Sequence, residues 1–260
     1  MRVANQNVEG GLLAGRIALI TGASSGIGRG VAEAMAAAGA AVVINHPGPA
    51  TAAAAEAVVS SIVATGGRAV TVAADVADES EAGALFEAAM HAYGRVDILV
   101  NNAGIAIAAP LQQMAVADFD RVLAVHLRGT FLMSRAVLPQ MLSRGQGRII
   151  NTASQLAYKG AAGFSAYTAA KGAILSLTRS LALEVGAGEV TVNCVAPGAT
   201  RTPMLDDVPT EILEQIRLSI PLGRIAEVSD IVPSYLFLAS EWGRHYQGQC
   251  LSPNGGDVFL

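Results

Sequence analysis

Short apolar runs alternate with longer helix-like segments along most of the chain, and this alternation restricts the possible folds more than any other feature. Runs of about four to six apolar residues are typical of buried strands, and longer alanine-rich segments are typical of helices. Alternating strands and helices form βαβ units, which build a parallel sheet covered on both faces. Strands are predicted at residues 17–20, 41–45, 69–73, 96–101, 148–152, 190–195 and 247–251. Helices are predicted at residues 29–38, 52–64, 79–93, 115–142, 165–185, 211–218 and 227–240.

No linker, charge run or short repeat divides the 260 residues, so we expect one doubly wound α/β domain over residues 13–260. A flexible N-terminal arm is predicted at residues 1–12, because this segment has no regular apolar pattern. Hydrophobic residues make up 52% of the chain and charged residues only 15%, which favours a sheet buried on both faces and further burial between subunits.

Charge and composition argue against several classes of protein. The net charge of −4 and the aromatic content of 5% do not fit a nucleic-acid binder. No apolar run reaches the roughly 18 residues of a membrane span, and the first fifteen residues do not resemble a signal peptide. Cys194 and Cys250 are isolated, so neither a disulfide framework nor a metal site is predicted, and both thiols are expected to be small buried residues in strands. We therefore expect a cytoplasmic protein without a metal.

A glycine-rich turn follows the first predicted strand and leads into the first helix, with the sequence Thr-Gly-Ala-Ser-Ser-Gly-Ile-Gly at residues 21–28. Glycines let the backbone approach a pyrophosphate closely, and the free N–H groups at the start of the helix attract its charge. The spacing G-x-x-x-G-x-G differs from the general dinucleotide fingerprint G-x-G-x-x-G. The candidate phosphate-contacting residues are Gly22, Ser24, Ser25, Gly26, Ile27 and Gly28.

The end of the second strand bears on the choice of cofactor. The general fingerprint expects an acidic residue there that binds the ribose 2′-hydroxyl of NAD, but this chain has Asn45 and His46. A carboxylate would repel a 2′-phosphate, so its absence favours NADP(H) slightly over NAD(H). No arginine, the usual phosphate clamp, is present either; His46 can donate to a phosphate or simply cap the strand.

Tyr167 and Lys171 are four residues apart in a predicted helix and therefore share one face. An ammonium group beside a phenol lowers the phenol pKa, so that the tyrosine can exchange a proton with an alcohol or a ketone. Ser154 follows the fifth strand, where strand ends face the ligand crevice, and its hydroxyl can hydrogen-bond the reacting oxygen. These three residues are the candidate catalytic group.

With these motifs in their order, the chain resembles the classical short-chain dehydrogenase/reductase family from about residue 13 to its C-terminus. The likeness rests on the turn at 21–28, Asn-Asn-Ala-Gly at 101–104, Ser154, Tyr-Thr-Ala-Ala-Lys at 167–171, and Pro-Gly at 197–198. The chain is similar to 3-oxoacyl-ACP reductases and glucose 1-dehydrogenase-like members of that family. The resemblance implies a Rossmann-type domain with a seven-stranded parallel sheet, NAD(P)-dependent oxidoreduction and a homotetramer.

The resemblance also implies roles for further residues. Asp75 and Val76 would contact the adenine, and Tyr167 and Lys171 would also touch the cofactor, with Lys171 at the nicotinamide ribose. The remaining implied cofactor contacts are Asn102, Ala103, Gly104, Pro197, Gly198, Thr200 and Thr202.

Two positions depart from the family pattern. His126 stands in Val-His-Leu-Arg-Gly at 125–129, where the family commonly has an asparagine that helps to hold a water of the proton relay. An imidazole can replace that hydrogen bond, with a changed pH dependence, or can be purely structural. At the C-terminus, Asn-Gly-Gly-Asp at 254–257 replaces the usual Asp-Gly-Gly, and an effect on subunit packing is expected.

The substrate is left open among a 3-oxoacyl thioester, a sugar, a polyol and a small ketone. Its binding is expected to involve a lid near residues 201–224, residues 105–109, and the loop after Ser154 with Gln155, Tyr158 and Phe164. Two alternatives have different chemistry: a nucleotide-sugar dehydratase or epimerase, which the short C-terminal segment disfavours, and a redox sensor that binds the cofactor without turnover.

Overall fold

The computed structural model describes residues 11–186, 188–206 and 208–259, and within them the strands form one seven-stranded parallel sheet. The order is β3-β2-β1-β4-β5-β6-β7, so the chain winds outward from β1 in one direction and from β4 in the other. The strands are β1 Ile17–Ile20, β2 Ala41–His46, β3 Arg68–Ala73, β4 Ile98–Asn101, β5 Gln146–Thr152, β6 Glu189–Val195 and β7 Cys250–Leu251.

Helices connect the strands and cover both faces of the sheet. Those in the described part of the chain are α1 Gly26–Ala37, α2 Pro49–Ala64, α3 Glu79–Tyr93, α4 Val116–Leu123, α5 Gly129–Arg144, α6 Leu156–Lys159, α7 Ser165–Glu184, α8 Thr210–Ser219 and α9 Val228–Ala239. A π-helical turn, Ala124–Arg128, joins α4 to α5, and short 3₁₀ turns lie at Leu111–Gln113, Pro203–Leu205 and Glu241–Gly243.

The sheet is buried on both faces because successive side chains of each strand point to opposite sides. In β1, Ile20 packs with Val31 of α1 and Tyr235 of α9, whereas Leu19 packs on the other face with Leu85 of α3 and Met133 of α5. These side chains are essentially inaccessible to solvent. The single doubly wound α/β domain of Rossmann type predicted from the alternation is therefore confirmed.

Several boundaries differ from the predicted ones for local reasons. The predicted helix at 115–142 is divided by the π-helical turn, and α6 was not predicted. The α1 helix begins at Gly26 rather than at residue 29, so the last glycines of the turn already belong to the helix. β7 is shorter than predicted, because the Gln247 side chain, rather than a strand backbone, accepts a hydrogen bond from the Val192 amide at 2.8 Å.

Residues 1–10 of the predicted N-terminal arm lie outside the described residues. The segment that follows is packed on the domain: the Leu13 amide donates to the Ala38 carbonyl at 2.7 Å, beyond the end of α1. Across the described ranges, no helix is both long and apolar enough to cross a membrane.

Candidate active site

The loops that carry the candidate residues all follow the carboxyl ends of the central strands. The strand order reverses between β1 and β4, and in open α/β sheets a ligand crevice lies at this switch point. The glycine turn follows β1, Asn102 and Gly104 follow β4, Ser154 follows β5, and Pro197 follows β6. The topology thus brings together motifs that are far apart in the sequence.

The glycine turn is held by Thr21 and Asn102. The Thr21 hydroxyl accepts hydrogen bonds from the backbone amides of Asn102 and Ala103, each at 3.0 Å. The Asn102 side-chain amide donates to the carbonyls of Thr21 and Gly22, also at 3.0 Å. A Cβ at Gly28 would collide with the Asn102 side chain and the Gly22 carbonyl, so only glycine fits there. Thr21 was not among the predicted site residues, although it lies within the quoted motif.

The start of α1 fits a pyrophosphate. Gly22 and Gly26 have φ values of 61° and 55°, a region that favours glycine. In the described structure the Ser25 side chain does not cap the helix, which leaves first-turn N–H groups for an anion. The Thr202 methyl group would lie 3.3 Å from a Cβ at Gly26, so the segment after β6 reaches the same turn. These residues fit the phosphates of a nicotinamide dinucleotide.

The two residues at the end of β2 are largely occupied by protein contacts. Asn45 accepts from the Gly22 amide at 3.2 Å and donates to the Ala74 carbonyl at 3.0 Å, so it supports the glycine turn. The Nδ1 atom of His46 lies 3.0 Å from the Gly48 carbonyl. Because a carbonyl only accepts, Nδ1 carries a proton, and a neutral ring has Nε2 as its free acceptor.

The residues expected near the adenine also make protein contacts. Asp75 forms an ion pair with Arg121 at 2.8 Å, and its carboxylate accepts from the Ala77 amide at 3.0 Å. Val76 is buried and packs against Gly129 at the start of α5. They lie in the loop after β3, at the same edge of the sheet as the glycine turn.

Ser154, Tyr167 and Lys171 meet above the end of β5. The Tyr167 phenol lies close enough to the Ser154 side chain for that hydroxyl to influence its pKa. The Lys171 ammonium nitrogen lies 5.6 Å from the centre of the Tyr167 ring and donates to the Thr152 carbonyl at 2.6 Å. Lys171 is only 3% exposed, so this carbonyl holds a buried cation in place.

The expected lowering of the Tyr167 pKa by Lys171 is wrong for the structure described. Burial raises the pKa of Tyr167, and the nearby Ser154 side chain only partly opposes that effect. The ammonium points to the Thr152 carbonyl rather than to the phenol oxygen. Burial also lowers the pKa of Lys171 to about 7. At neutral pH the phenol therefore keeps its proton, which suits a proton donor.

His126 lies in the π-helical turn and is 1% exposed. Burial, together with the charge of Lys171, lowers its pKa to about 3, so the ring is neutral at neutral pH and the changed pH dependence expected from its titration does not arise there. Its Nε2 atom lies 2.7 Å from the Ile105 carbonyl oxygen and 3.1 Å from the Ile105 amide nitrogen, so it donates to the carbonyl in one tautomer and accepts from the amide in the other. The ring meets Tyr167 edge to face, with centroids 5.2 Å apart. Within the described residues, its Nδ1 atom is buried without a hydrogen-bond partner.

The segment after β6 continues the crevice. The Gly198 amide donates to the Pro253 carbonyl at 3.1 Å, which ties the Pro197-Gly198 pair to the C-terminal segment. The Thr200 hydroxyl donates to the Gly198 carbonyl at 2.9 Å, and the Thr202 hydroxyl to the Thr200 carbonyl at 3.3 Å.

Gln155 has a structural partner that its sequence position did not indicate. Its amide nitrogen donates to Asp257 at 2.7 Å, and Lys159 donates to the same carboxylate at 2.6 Å. Asp257 therefore fastens the loop after Ser154 to the C-terminal segment, in addition to any part in subunit packing. Arg201, the first residue of the predicted lid, forms an ion pair with Glu227 at 3.0 Å.

The predicted lid contains α8, in which no residue is fully buried. Its Leu218 and the nearby Leu222 are 68% and 70% exposed. Across the described ranges, no group of three His, Cys, Asp or Glu side chains lies close enough together to hold a metal ion.

Comparison with known proteins places this geometry in context. A family model described as enoyl-(acyl carrier protein) reductase matches residues 22–257. The (2S)-[(R)-hydroxy(phenyl)methyl]succinyl-CoA dehydrogenase subunit BbsD of Thauera aromatica is 40% identical over 93% of this chain and 96% of its own length. The 3-oxoacyl-[acyl-carrier-protein] reductase of a Synechocystis strain is 39% identical over 95% of this chain and 99% of its own length.

A solved structure from Beutenbergia cavernae, of a protein suggested to be an NAD(P)-dependent gluconate 5-dehydrogenase, superposes with a TM-score of 0.89. It is 39% identical, covers 94% of this chain and 97% of its own, and carries NADP at low occupancy.

Replacing Lys171 with methionine should change how stability depends on pH. The Lys171 pKa falls from 10.5 to about 7 on folding, so between these values the unfolded chain holds the proton and the folded chain does not. Because of this group, the free energy of unfolding of the wild type should rise by up to about 1.4 kcal/mol per pH unit as the pH increases above about 7. Below about pH 7 the group causes no such rise. Urea unfolding of wild type and Lys171→Met at pH 6, 7, 8 and 9 measures the difference. Lys159→Met, at the other lysine of the sequence, removes the ion pair with Asp257 and should shift the curve while keeping the wild-type rise with pH; parallel curves for wild type and Lys171→Met would contradict the assignment.

Proposed function

The chain belongs to the classical short-chain dehydrogenase/reductase family and is an NAD(P)-dependent oxidoreductase, and from this premise we propose that it transfers a hydride between the nicotinamide and a ketone or secondary alcohol through Ser154, Tyr167 and Lys171. The observation that carries the proposal is the position of the Tyr167 phenol beside the Ser154 side chain and a buried lysine. This group lies at the carboxyl edge of the sheet, where the glycine turn also lies.

The Ser154 hydroxyl binds and orients the reacting oxygen. Its Oγ atom accepts from the Leu156 amide at 3.1 Å, which fixes the side chain at the end of β5. A hydroxyl in that position donates a hydrogen bond to a ketone oxygen and stabilises the negative charge that develops there.

Tyr167 supplies the proton during reduction. Its raised pKa keeps the phenol protonated at neutral pH, so the Oη atom donates to the ketone oxygen as negative charge develops. In the reverse direction the same oxygen accepts the alcohol proton. The bound cofactor supplies or accepts the hydride.

Lys171 holds a positive charge or a hydrogen-bond donor below the phenol. Its bond to the Thr152 carbonyl sets the position of the helix face that carries Tyr167. His126 is proposed as a positioning residue: its neutral ring fixes the backbone at Ile105 and packs on Tyr167, and its buried Nδ1 atom offers a hydrogen-bonding position for a water molecule.

The proposed cofactor contacts remain those predicted from the motifs, with one refinement. Gly22, Ser24, Ser25, Gly26, Ile27 and Gly28 would hold the phosphates, and Asn102, Ala103, Gly104, Pro197, Gly198, Thr200 and Thr202 would follow the nicotinamide half. Asn45 would act through the Gly22 amide instead of touching the ribose, because its side chain is already hydrogen-bonded to backbone groups.

The proposed substrate is a ketone or the corresponding secondary alcohol, with a 3-oxoacyl thioester, a sugar and another carbonyl compound as the classes to screen. Two relatives named for acyl-thioester chemistry support the first class, and one suggested to act on a sugar acid supports the second. A cytoplasmic location stays a prediction.

Tyr167→Phe should lower kcat by about 10²–10⁴-fold, because it removes the proton donor while leaving the ring in place. Absorbance of the reduced nicotinamide, followed with a panel of β-keto thioesters, sugars, polyols and simple ketones, measures turnover. Tyr93→Phe, on the distant α3 helix, is the matched control and should retain wild-type kcat. If wild type binds the cofactor tightly but turns over no member of the panel, a redox sensor becomes the better assignment.

We expect a modest preference for NADPH over NADH, supported by the absence of a carboxylate at the end of β2. His46→Asp should weaken NADPH binding at least about tenfold relative to NADH, because a carboxylate repels the 2′-phosphate. Dissociation constants from nicotinamide fluorescence measure both affinities. His91→Asp adds the same charge on exposed α3 and should leave the ratio unchanged. A strong wild-type preference for NADH would refute the cofactor assignment.

A homotetramer is proposed, supported by an apolar groove on α4, α5 and α7 that another copy of the chain would cover. Leu123, Leu127 and Leu177 line the groove, and Phe131 beside them is 47% exposed. Phe131→Arg should yield a smaller species in sedimentation equilibrium, because it places a charge in an apolar contact. Val63→Arg, at an exposed position on α2, is the control. A wild-type protein that sediments as a monomer would contradict this assembly.

A further inference from the structure

Two cysteines that are 56 positions apart in the sequence lie side by side in the sheet. Cys194 of β6 and Cys250 of β7 are paired residues of adjacent parallel strands. Adjacent strands are about 4.7–4.9 Å apart, and paired side chains leave the sheet on the same face. A disulfide requires Cα atoms about 4.4–6.8 Å apart, so this register is compatible with one.

The two thiols differ in their access to solvent. Cys194 is 1% exposed and packs with Ile174 and Leu175 of α7. Cys250 is only partly buried, in the short strand that ends the sheet order. A small solute can therefore reach Cys250 first, and the prediction that both thiols are simply buried holds for Cys194 alone.

The two thiols also differ in acidity. The neighbouring Cys194 thiol, the Tyr158 hydroxyl and the charge of Arg179 together hold the pKa of Cys250 below its ordinary value despite partial burial. The adjacent Cys250 and burial raise the pKa of Cys194. The accessible member of the pair therefore has the greater thiolate character, and thiolates are the form that oxidants attack.

We propose that Cys194 and Cys250 form a peroxide-sensitive dithiol, in which Cys250 reacts with the oxidant and Cys194 resolves the product. The Cys250 thiolate attacks one oxygen of hydrogen peroxide; the O–O bond breaks, and water leaves after protonation. The Cys194 sulfur then attacks the resulting sulfenic sulfur, the S–O bond breaks and a second water leaves. Overall, two thiols lose two hydrogens and one peroxide becomes two waters.

The disulfide would join the last strand of the sheet to β6. The residues directly after β7 contact the active-site loops. The Pro253 carbonyl accepts a hydrogen bond from the Gly198 amide, and the Asp257 carboxylate accepts one from the Gln155 side chain. Tyr158 of α6 packs in the same cluster as both cysteines. We therefore expect oxidation to raise the melting temperature and to change kcat, with both changes reversed by dithiothreitol.

The test is peptide mass mapping of the purified full chain after treatment with hydrogen peroxide and alkylation with N-ethylmaleimide. Wild type should yield a cross-linked pair of peptides containing Cys194 and Cys250, lighter by two hydrogens than the sum of the free peptides. Cys194→Ser should instead accumulate sulfenic or sulfinic acid at Cys250, because the resolving thiol is gone. Cys250→Ser should leave Cys194 reduced and fully alkylated after unfolding.

Three outcomes would overturn the proposal. They are full alkylation of both thiols in treated wild type, cross-links between chains only, and oxidation of Cys194 in Cys250→Ser at the wild-type rate. Circular dichroism of the untreated variants verifies their folding. Because the readout is mass rather than turnover, the result is independent of the proposed dehydrogenase activity.

Discussion

A buried lysine amino group that donates to a backbone carbonyl organises the candidate active site. Lys171 of α7 reaches the Thr152 carbonyl at the end of β5, and this bond compensates the burial of a nearly inaccessible polar group. The Thr152 hydroxyl is held in turn by the buried Tyr235 hydroxyl of α9 at 2.8 Å. Helices on both faces of the sheet therefore fix the strand end from which Ser154 projects.

This arrangement sets the positions of both other candidate catalytic groups. Tyr167 lies one helical turn before Lys171, so fixing the lysine also fixes the phenol. Ser154 follows Thr152 by two residues, so the same strand end determines where its hydroxyl can lie. The relative placement of phenol and hydroxyl thus follows from one long-range contact and two short stretches of chain.

The parts of this structure that depend on local patterns could be read from the sequence. The strand-glycine turn-helix succession, the four-residue spacing of Tyr167 and Lys171 and the position of Ser154 after a strand all rest on neighbours in the chain. A parallel sheet then brings the motifs to one edge.

What the sequence could not predict depends on contacts between distant segments. The register that pairs Cys194 with Cys250 exists only once β6 and β7 are aligned. Asp257 binds the side chains of Gln155 and Lys159 across about a hundred positions of sequence. The direction of the Tyr167 pKa shift depends on how deeply the phenol is buried and on where the lysine points. The four-residue spacing of the two residues in the helix predicts neither.

His126 in the π-helical turn leaves no room for a side chain at Gly104 in the loop after β4. A Cβ at Gly104 would coincide with the imidazole of His126, so the two positions share a single volume. Alanine at residue 104 would therefore clash with the imidazole as long as residue 126 is histidine. It fits only after a smaller side chain has replaced that histidine. Residue 126 therefore has to change before residue 104 can. A combinatorial library that varies residue 104 alone would contain only variants that clash with His126.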